Sequence, residues 1–184
     1  DQPLRHAKAE DTYRQAEDAY RHATTLFPGS AMLHTGWGLV YIAQDRLVEA
    51  TEQFHQAVSL DHTDHWAYWH LGTALLAQSD LQAAEDAYRN AMRWSPSMAG
   101  AYRGLGHVYS RRGWPDAALA AFQHALRLSP DNPGLYVDVA RSYWTLGHNE
   151  LACGAVDRAL LIDPGHSELL ALRASCIDPP KADD

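Results

Sequence analysis

Cysteine is scarce in this sequence. Only Cys153 and Cys176 are present, with no Cys-x-x-Cys or Cys/His ligand spacing, so both read as small half-buried side chains rather than a disulfide or redox pair. Long apolar runs are missing too. No stretch approaches the roughly 18 consecutive apolar residues that a membrane span requires, and the mean hydropathy of −0.38 fits a soluble chain. An excess of positive charge is also lacking: 15 Lys+Arg stand against 23 Asp+Glu for a net charge of −8, which disfavours nucleic acid and anionic lipid as partners. Only 2 of the 15 basic residues are lysines, a bias that suggests a GC-rich bacterial coding background. Catalytic signatures are absent. There is no Gly-x-Ser-x-Gly, no phosphate-binding Gly-x-x-x-x-Gly-Lys-Ser/Thr, no His-Glu-x-x-His and no Gly-x-Gly-x-x-Gly, so no catalytic residue and no cofactor is assigned.

What is present is apolar and aromatic. A length of 184 residues with 46% hydrophobic content supports one core or one stack, and 6 Trp with 9 Tyr are many for that length. Such aromatics sit half buried in packing seams or at binding surfaces. The chain opens at Asp1 without a Met or an apolar leader, which fits a processed product or an excised piece of a longer chain. Its last residues, 178–184, are polar, acidic and broken by Pro179 and Pro180, and are expected to be disordered.

A period of 34 organises everything between. Ala16, Ala50, Ala84, Ala118 and Ala152 stand 34 residues apart, as do Ala23, Ala57, Ala91, Ala125 and Ala159. Between these columns fall Tyr20, Phe54, Tyr88, Phe122 and Val156, and beyond them Pro28, His62, Pro96, Pro130 and Pro164. Upstream runs a small-residue series, Gly38, Gly72, Gly106 and Ala140, flanked by Tyr41, Leu75, Tyr109 and Tyr143.

Within one copy the spacing reads helix, turn, helix. Tyr102, Leu105, Gly106 and Tyr109 recur at helical intervals, Gly113-Trp114-Pro115 interrupts them, and Ala118, Phe122 and Ala125 resume the pattern. Pro115 suits the first turn of the second helix, and Gly113 suits the end of the first. Ser30, Asp64 and Asn132 precede the first helices as expected N-caps.

These residues resemble the tetratricopeptide repeat (TPR), whose 34-residue pattern runs bulky residue, Leu-Gly, Tyr, Ala, aromatic, Ala, Pro. The resemblance implies an all-α, right-handed superhelical α-solenoid of antiparallel helix pairs. It divides the chain into an N-terminal partial repeat over 1–30 with its second helix near 12–27, full repeats at 31–64, 65–98, 99–132 and 133–166, a capping helix at 167–177 and the tail. The first full copy departs from the pattern at His34, Trp37 and His62. Residues 3–10 are either a truncated first helix or an extension of the next, and Asp11 does not decide between them.

The resemblance also implies a concave groove lined by first helices, and no enzymatic activity. The residues that the packing columns leave over are Met32, Thr35, Gly36, Leu39 and Ala43, then Trp66, Trp69, His70, Thr73 and Ala77, then Gly100, Arg103, Gly104, His107 and Arg111, then Gly134, Val137, Asp138, Arg141 and Trp144. The expected partner-binding residues are Trp66, Trp69, His70, Arg103, His107, Arg111, Arg141 and Trp144, because Trp and Arg dominate binding hot spots. This mildly basic inner face would take a protein or peptide with apolar or aromatic and acidic groups. Protonation of His70 and His107 near pH 6 would then tighten it. Alternatively the lining is inert, with Trp66 or Trp144 packed on the neighbouring first helix and the arginines paired with Asp138 or Glu168 for solubility alone. The Lys and Asn of the chaperone-tail clamp are replaced by Thr35, Leu39 and His70, so that mode is not expected. A self-assembling scaffold using the convex face or the solenoid ends, with homo-oligomers, is the alternative, as is a regulatory segment of a larger enzyme or of an envelope-assembly or secretion protein. The compartment stays open between bacterial cytoplasm and periplasm. The histidines of Asp61-His62-Thr63-Asp64-His65, with His70 nearby, invite a metal, but they fall at a turn between repeats and match no ligand spacing, so no metal ligand is assigned.

Overall fold

The computed structural model describes residues 2–177, and the expected disorder of 178–184 lies outside the described residues. Every regular element among them is a helix: α1 (Gln2–Leu26), α2 (Ala31–Ala43), α3 (Leu47–Leu60), α4 (His65–Ala77), α5 (Leu81–Trp94), α6 (Ala99–Arg111), α7 (Pro115–Leu128), α8 (Pro133–Thr145), α9 (Asn149–Ile162) and α10 (Ser167–Ile177). Adjacent helices pair as hairpins, α2 with α3, α4 with α5, α6 with α7 and α8 with α9. Residues up to Pro96 form one compact unit and those from Ser97 a second.

In the first unit the helix pairs are locked by size complementarity. A Cβ on Gly38 would lie 2.5 Å from the Phe54 ring, and one on Gly72 would lie 2.9 Å from the Tyr88 ring, so glycine is what lets each first helix sit against its partner's aromatic. The alanine columns complete the seam: Ala50, Ala57, Ala84 and Ala91 are fully buried. α3 stacks on α4, and the Gln78 side chain donates from the end of α4 to Thr51 Oγ1 (2.8 Å) and to the Leu47 carbonyl (3.0 Å). One repeat earlier, Gln44 donates to Glu17 of α1 at 2.9 Å, and Arg46 joins Glu17 and Glu49, each at 2.8 Å. This cluster ties α1 to the α2–α3 hairpin. α1 itself runs unbroken through Asp11, so residues 3–10 extend it rather than fold back as a separate helix.

The second unit repeats the scheme. Phe122 packs where a Cβ on Gly106 would stand, and at the corresponding places of the next pair Ala140 and Val156 are both buried. α7 stacks on α8, and α10 closes the unit against α9. The two cysteines correct the sequence reading: Cys153 of α9 and Cys176 of α10 form a disulfide, with Cα atoms 5.7 Å apart. Sequence spacing hid the bond because the residues become neighbours only when α10 folds back on α9.

Caps and turns follow local chemistry. Asp64 accepts from the backbone N–H groups of Trp66 (2.9 Å) and Ala67 (3.0 Å), and Asn132 from that of Gly134 (3.0 Å). Ser30 stands at the equivalent place but makes no side-chain cap, contrary to expectation. Pro115 and Pro133 occupy first-turn positions. The turn inside each hairpin contains one left-handed residue, at Asp45 (φ 58°), Ser79 (φ 66°), Gly113 (φ 75°) and Gly147 (φ 78°), again 34 residues apart.

Candidate functional site

A cleft of about 360 Å³ opens in the second unit, lined by Arg103 and His107 of α6, Phe122 of α7, Gly134, Asp138 and Arg141 of α8, and Glu168 of α10. At its centre the buried carboxylate of Asp138 accepts from Arg103 Nε at 2.5 Å, and His107 Nε2 lies 3.7 Å from the same oxygen. Arg141 Nη2 donates to Glu168 Oε1 at 2.7 Å. A Cβ on Gly134 would come within 3.4 Å of Arg103 Nη2, so glycine here leaves room beside the guanidinium. His107 stands edge-on to the Phe122 ring, 5.0 Å between centroids.

The electrostatics differ from the mildly basic inner face expected from the residues that the repeat register assigns to the groove. Each of the two arginines in the cleft is matched by a carboxylate, so the cleft presents alternating rather than net positive charge. Burial pushes the His107 pKa below the ordinary histidine value of 6.5. The Asp138 carboxylate opposes that shift, while Arg103 and Arg111 add to it. His70 is lowered by burial as well, against a smaller pull from Asp64. Both imidazoles therefore take up a proton at lower pH than an ordinary histidine, which works against acid-driven tightening at these residues.

A second surface belongs to the first unit. On α4, Trp66 meets Trp69 edge-to-face with 5.8 Å between centroids, Trp69 touches His70 at 4.7 Å, and His70 stacks on Phe54 of α3 at 5.6 Å. The stack anchors the inner members of the row and leaves Trp66 54% exposed. Hot-spot chemistry of this kind needs a rigid aromatic with an open face.

The eight expected binding residues thus fall into separate groups. Trp66, Trp69 and His70 sit together in the first unit, and Arg103, His107 and Arg141 together in the cleft of the second. Arg111 is exposed in the last turn of α6, where its charge suits the helix C-terminus. Trp144 is elsewhere: it packs on the core and lines a different cavity with Asn149, Leu172 and the disulfide. Gly36 does not offer open groove either, since a Cβ there would lie 2.5 Å from the Tyr20 hydroxyl. At the turn before α4, Asp61 accepts from the Thr63 N–H (2.8 Å) and hydroxyl (2.7 Å) while Asp64 caps the helix. Among the described residues, no group of three or more His, Cys, Asp or Glu side chains is placed to hold a metal. The expected binding set left out Asp138 and Glu168, which the sequence offered instead as salt-bridge partners of the arginines, and the structure has both pairs, Arg103–Asp138 and Arg141–Glu168.

Comparison with solved structures places this fold. The chain superposes on the crystal structure of MamA with a TM-score of 0.78 and 25% identity, covering 88% of this chain and 94% of that one. It is similar in fold to YrrB, described as a TPR protein with an unusual peptide-binding site, with a TM-score of 0.73 and 22% identity over 91% of this chain and 86% of that one. It is also similar in fold to TTC0263, a thermophilic TPR protein of Thermus thermophilus, with a TM-score of 0.74 and 22% identity over 94% of each chain. No curated protein matches the sequence. No helix among the described residues is long and apolar enough to cross a membrane. Two tetratricopeptide-repeat family models match, one over residues 67–133 and the other over residues 110–176. With helix hairpins recurring every 34 residues and two overlapping family matches, the chain belongs to the tetratricopeptide repeat family, whose members typically serve as protein-interaction scaffolds rather than catalysts.

Proposed function

We propose that the chain is a non-enzymatic adaptor that binds a peptide or partner segment in the α6–α8 cleft, with the Trp66–Trp69 surface as a separate apolar contact. The observation that carries this reading is the arrangement of Arg103 and Arg141, each held by a carboxylate in a cleft of about 360 Å³. Arg103 gives Asp138 its Nε edge, which leaves the terminal nitrogens as donors for a ligand carboxylate or backbone carbonyl. The matched charges suit a segment of mixed polarity over a polyanion. Trp66, exposed and braced by Trp69, accepts aliphatic or aromatic side chains. The disulfide supports work in an oxidising compartment, the periplasm rather than the cytoplasm in a bacterium.

Affinity capture with the folded chain, followed by crosslink mapping of the bound segment, tests the reading. R141A and W69A are each expected to lose the captured partner or weaken it by about tenfold, the scale of one hot-spot residue. Identical capture by both variants would sink the proposal.

A further inference from the structure

Glu168, which lines the cleft, belongs to α10, an 11-residue helix that packs against α9. A helix that short has little stability of its own, so its position depends on docking. Its contacts include the buried Leu169, Leu172 packed against the core, the Arg173–Asp157 pair at 3.3 Å and the disulfide from Cys176 to Cys153. Glu168 stands in the first turn of this helix and Cys176 near its other end, so the staple restrains the rotation and tilt that keep Glu168 on Arg141.

We propose that the Cys153–Cys176 bond is a redox-sensitive staple that regulates the cleft: when it opens, α10 loosens, Glu168 leaves Arg141, and the Arg141 guanidinium, 61% exposed but paired through Nη2, is freed to give that donor too to a ligand carboxylate. The proposal rests on the reading of that cleft as the binding site. The bond is within reach of a reductant. Both cysteines are half-buried and line an open cavity of about 630 Å³ together with Trp144, Asn149, Glu150, Leu172 and Ser175. The reductant is a dithiol. One of its thiolates attacks a disulfide sulfur to form a mixed disulfide and expel the other cysteine as thiolate; the second thiol then resolves the mixed bond. Two electrons and two protons pass to Cys153 and Cys176, and the dithiol leaves as its own disulfide. The staple closes a loop of 23 residues, so its opening returns substantial chain freedom to α10.

The test uses the full chain in three states: oxidised, reduced with dithiothreitol, and as the double variant C153S/C176S. Amide hydrogen exchange reads α10, and the rate of phenylglyoxal modification, followed by mass spectrometry, reads Arg141 with Arg103 as internal reference. In both opened states the α10 amides are expected to exchange about tenfold faster or more. Arg141 is expected to be modified several-fold faster, with Arg103 unchanged. Unchanged exchange in α10 overturns the staple, and faster exchange with an unchanged Arg141 rate overturns its link to the cleft. Neither readout requires a ligand, so a failure of partner capture would remove the function proposed above and still leave this inference decided.

Discussion

Asp138 and Arg103 come from first helices one repeat apart, and the carboxylate, only 8% exposed, takes the guanidinium Nε at 2.5 Å. Removing the arginine strands a buried charge, whereas removing both partners does not. R103A is therefore expected to destabilise the second unit by about 1–3 kcal/mol, less than a fully buried pair would lose because Arg103 is 40% exposed. The double variant R103A/D138A should recover part of that loss in urea denaturation. A double variant less stable than R103A would show that Asp138 is held by something else.

The glycine–aromatic seams explain why one column stays small while its partner varies. Gly106 faces Phe122 in one hairpin, and the neighbouring hairpin uses Ala140 with the slimmer Val156. G106A should cost about 1–3 kcal/mol through overpacking, and adding F122V should restore part of it by reproducing the neighbouring combination. Thermal melts of the two variants check this. An F122V change that only deepens the loss would mean the two positions do not share a seam.

The seams were legible in the sequence because they repeat. The register of Ala50, Phe54, Ala57 and their counterparts locates both helices of a copy and the faces they bury, and it sorts Trp66 and Arg103 away from the core. Two things escaped it. The disulfide joins residues at unrelated places in the repeat, so periodicity carries no trace of it. The pairing of Arg141 with Glu168 depends on how α10 docks, which is a tertiary fact. Trp144 stands one residue out of the groove register, which continues from Ala43, Ala77 and Arg111 to Thr145, and it packs on the core and lines a cavity with Leu172 of α10.

The recurring left-handed turn position was half readable, through Gly113 and Gly147 but not through Asp45 and Ser79. A side chain in that conformation costs about 1–2 kcal/mol, partly offset because glycine frees the unfolded chain. D45G and S79G are thus expected to raise stability by about 0.5–1 kcal/mol each, while G113A and G147A lower it by a similar amount. Opposite signs in the two pairs of melts are the diagnostic result.

His70 and His107 make stability depend on pH in a definite direction. Burial lowers both below the ordinary value of 6.5, so the unfolded chain takes up their protons first as acid is added. Their contribution is complete above pH 6.5 and is lost as the pH falls below it. The midpoint of thermal unfolding should drop between pH 7.5 and 5.5, and the drop should be smaller in H70N and H107N. An equal drop in wild type and both variants would assign the effect to other groups.

Removing the disulfide should be costly for the second unit. Closing a loop of 23 residues stabilises a fold by about 3 kcal/mol through the restricted unfolded chain, and no free cysteine is left over among the described residues to compete for the bond. C153A/C176A is expected to lower the unfolding free energy by about that amount, and dithiothreitol to act on the wild type but not on the variant. Because the bond lies in the second unit, the loss should appear in the fluorescence of Trp144 beside the disulfide, while the exchange protection of α2–α5 stays as it was. A loss shared equally by both units would mean that they unfold as one, and the staple would then act on the whole chain.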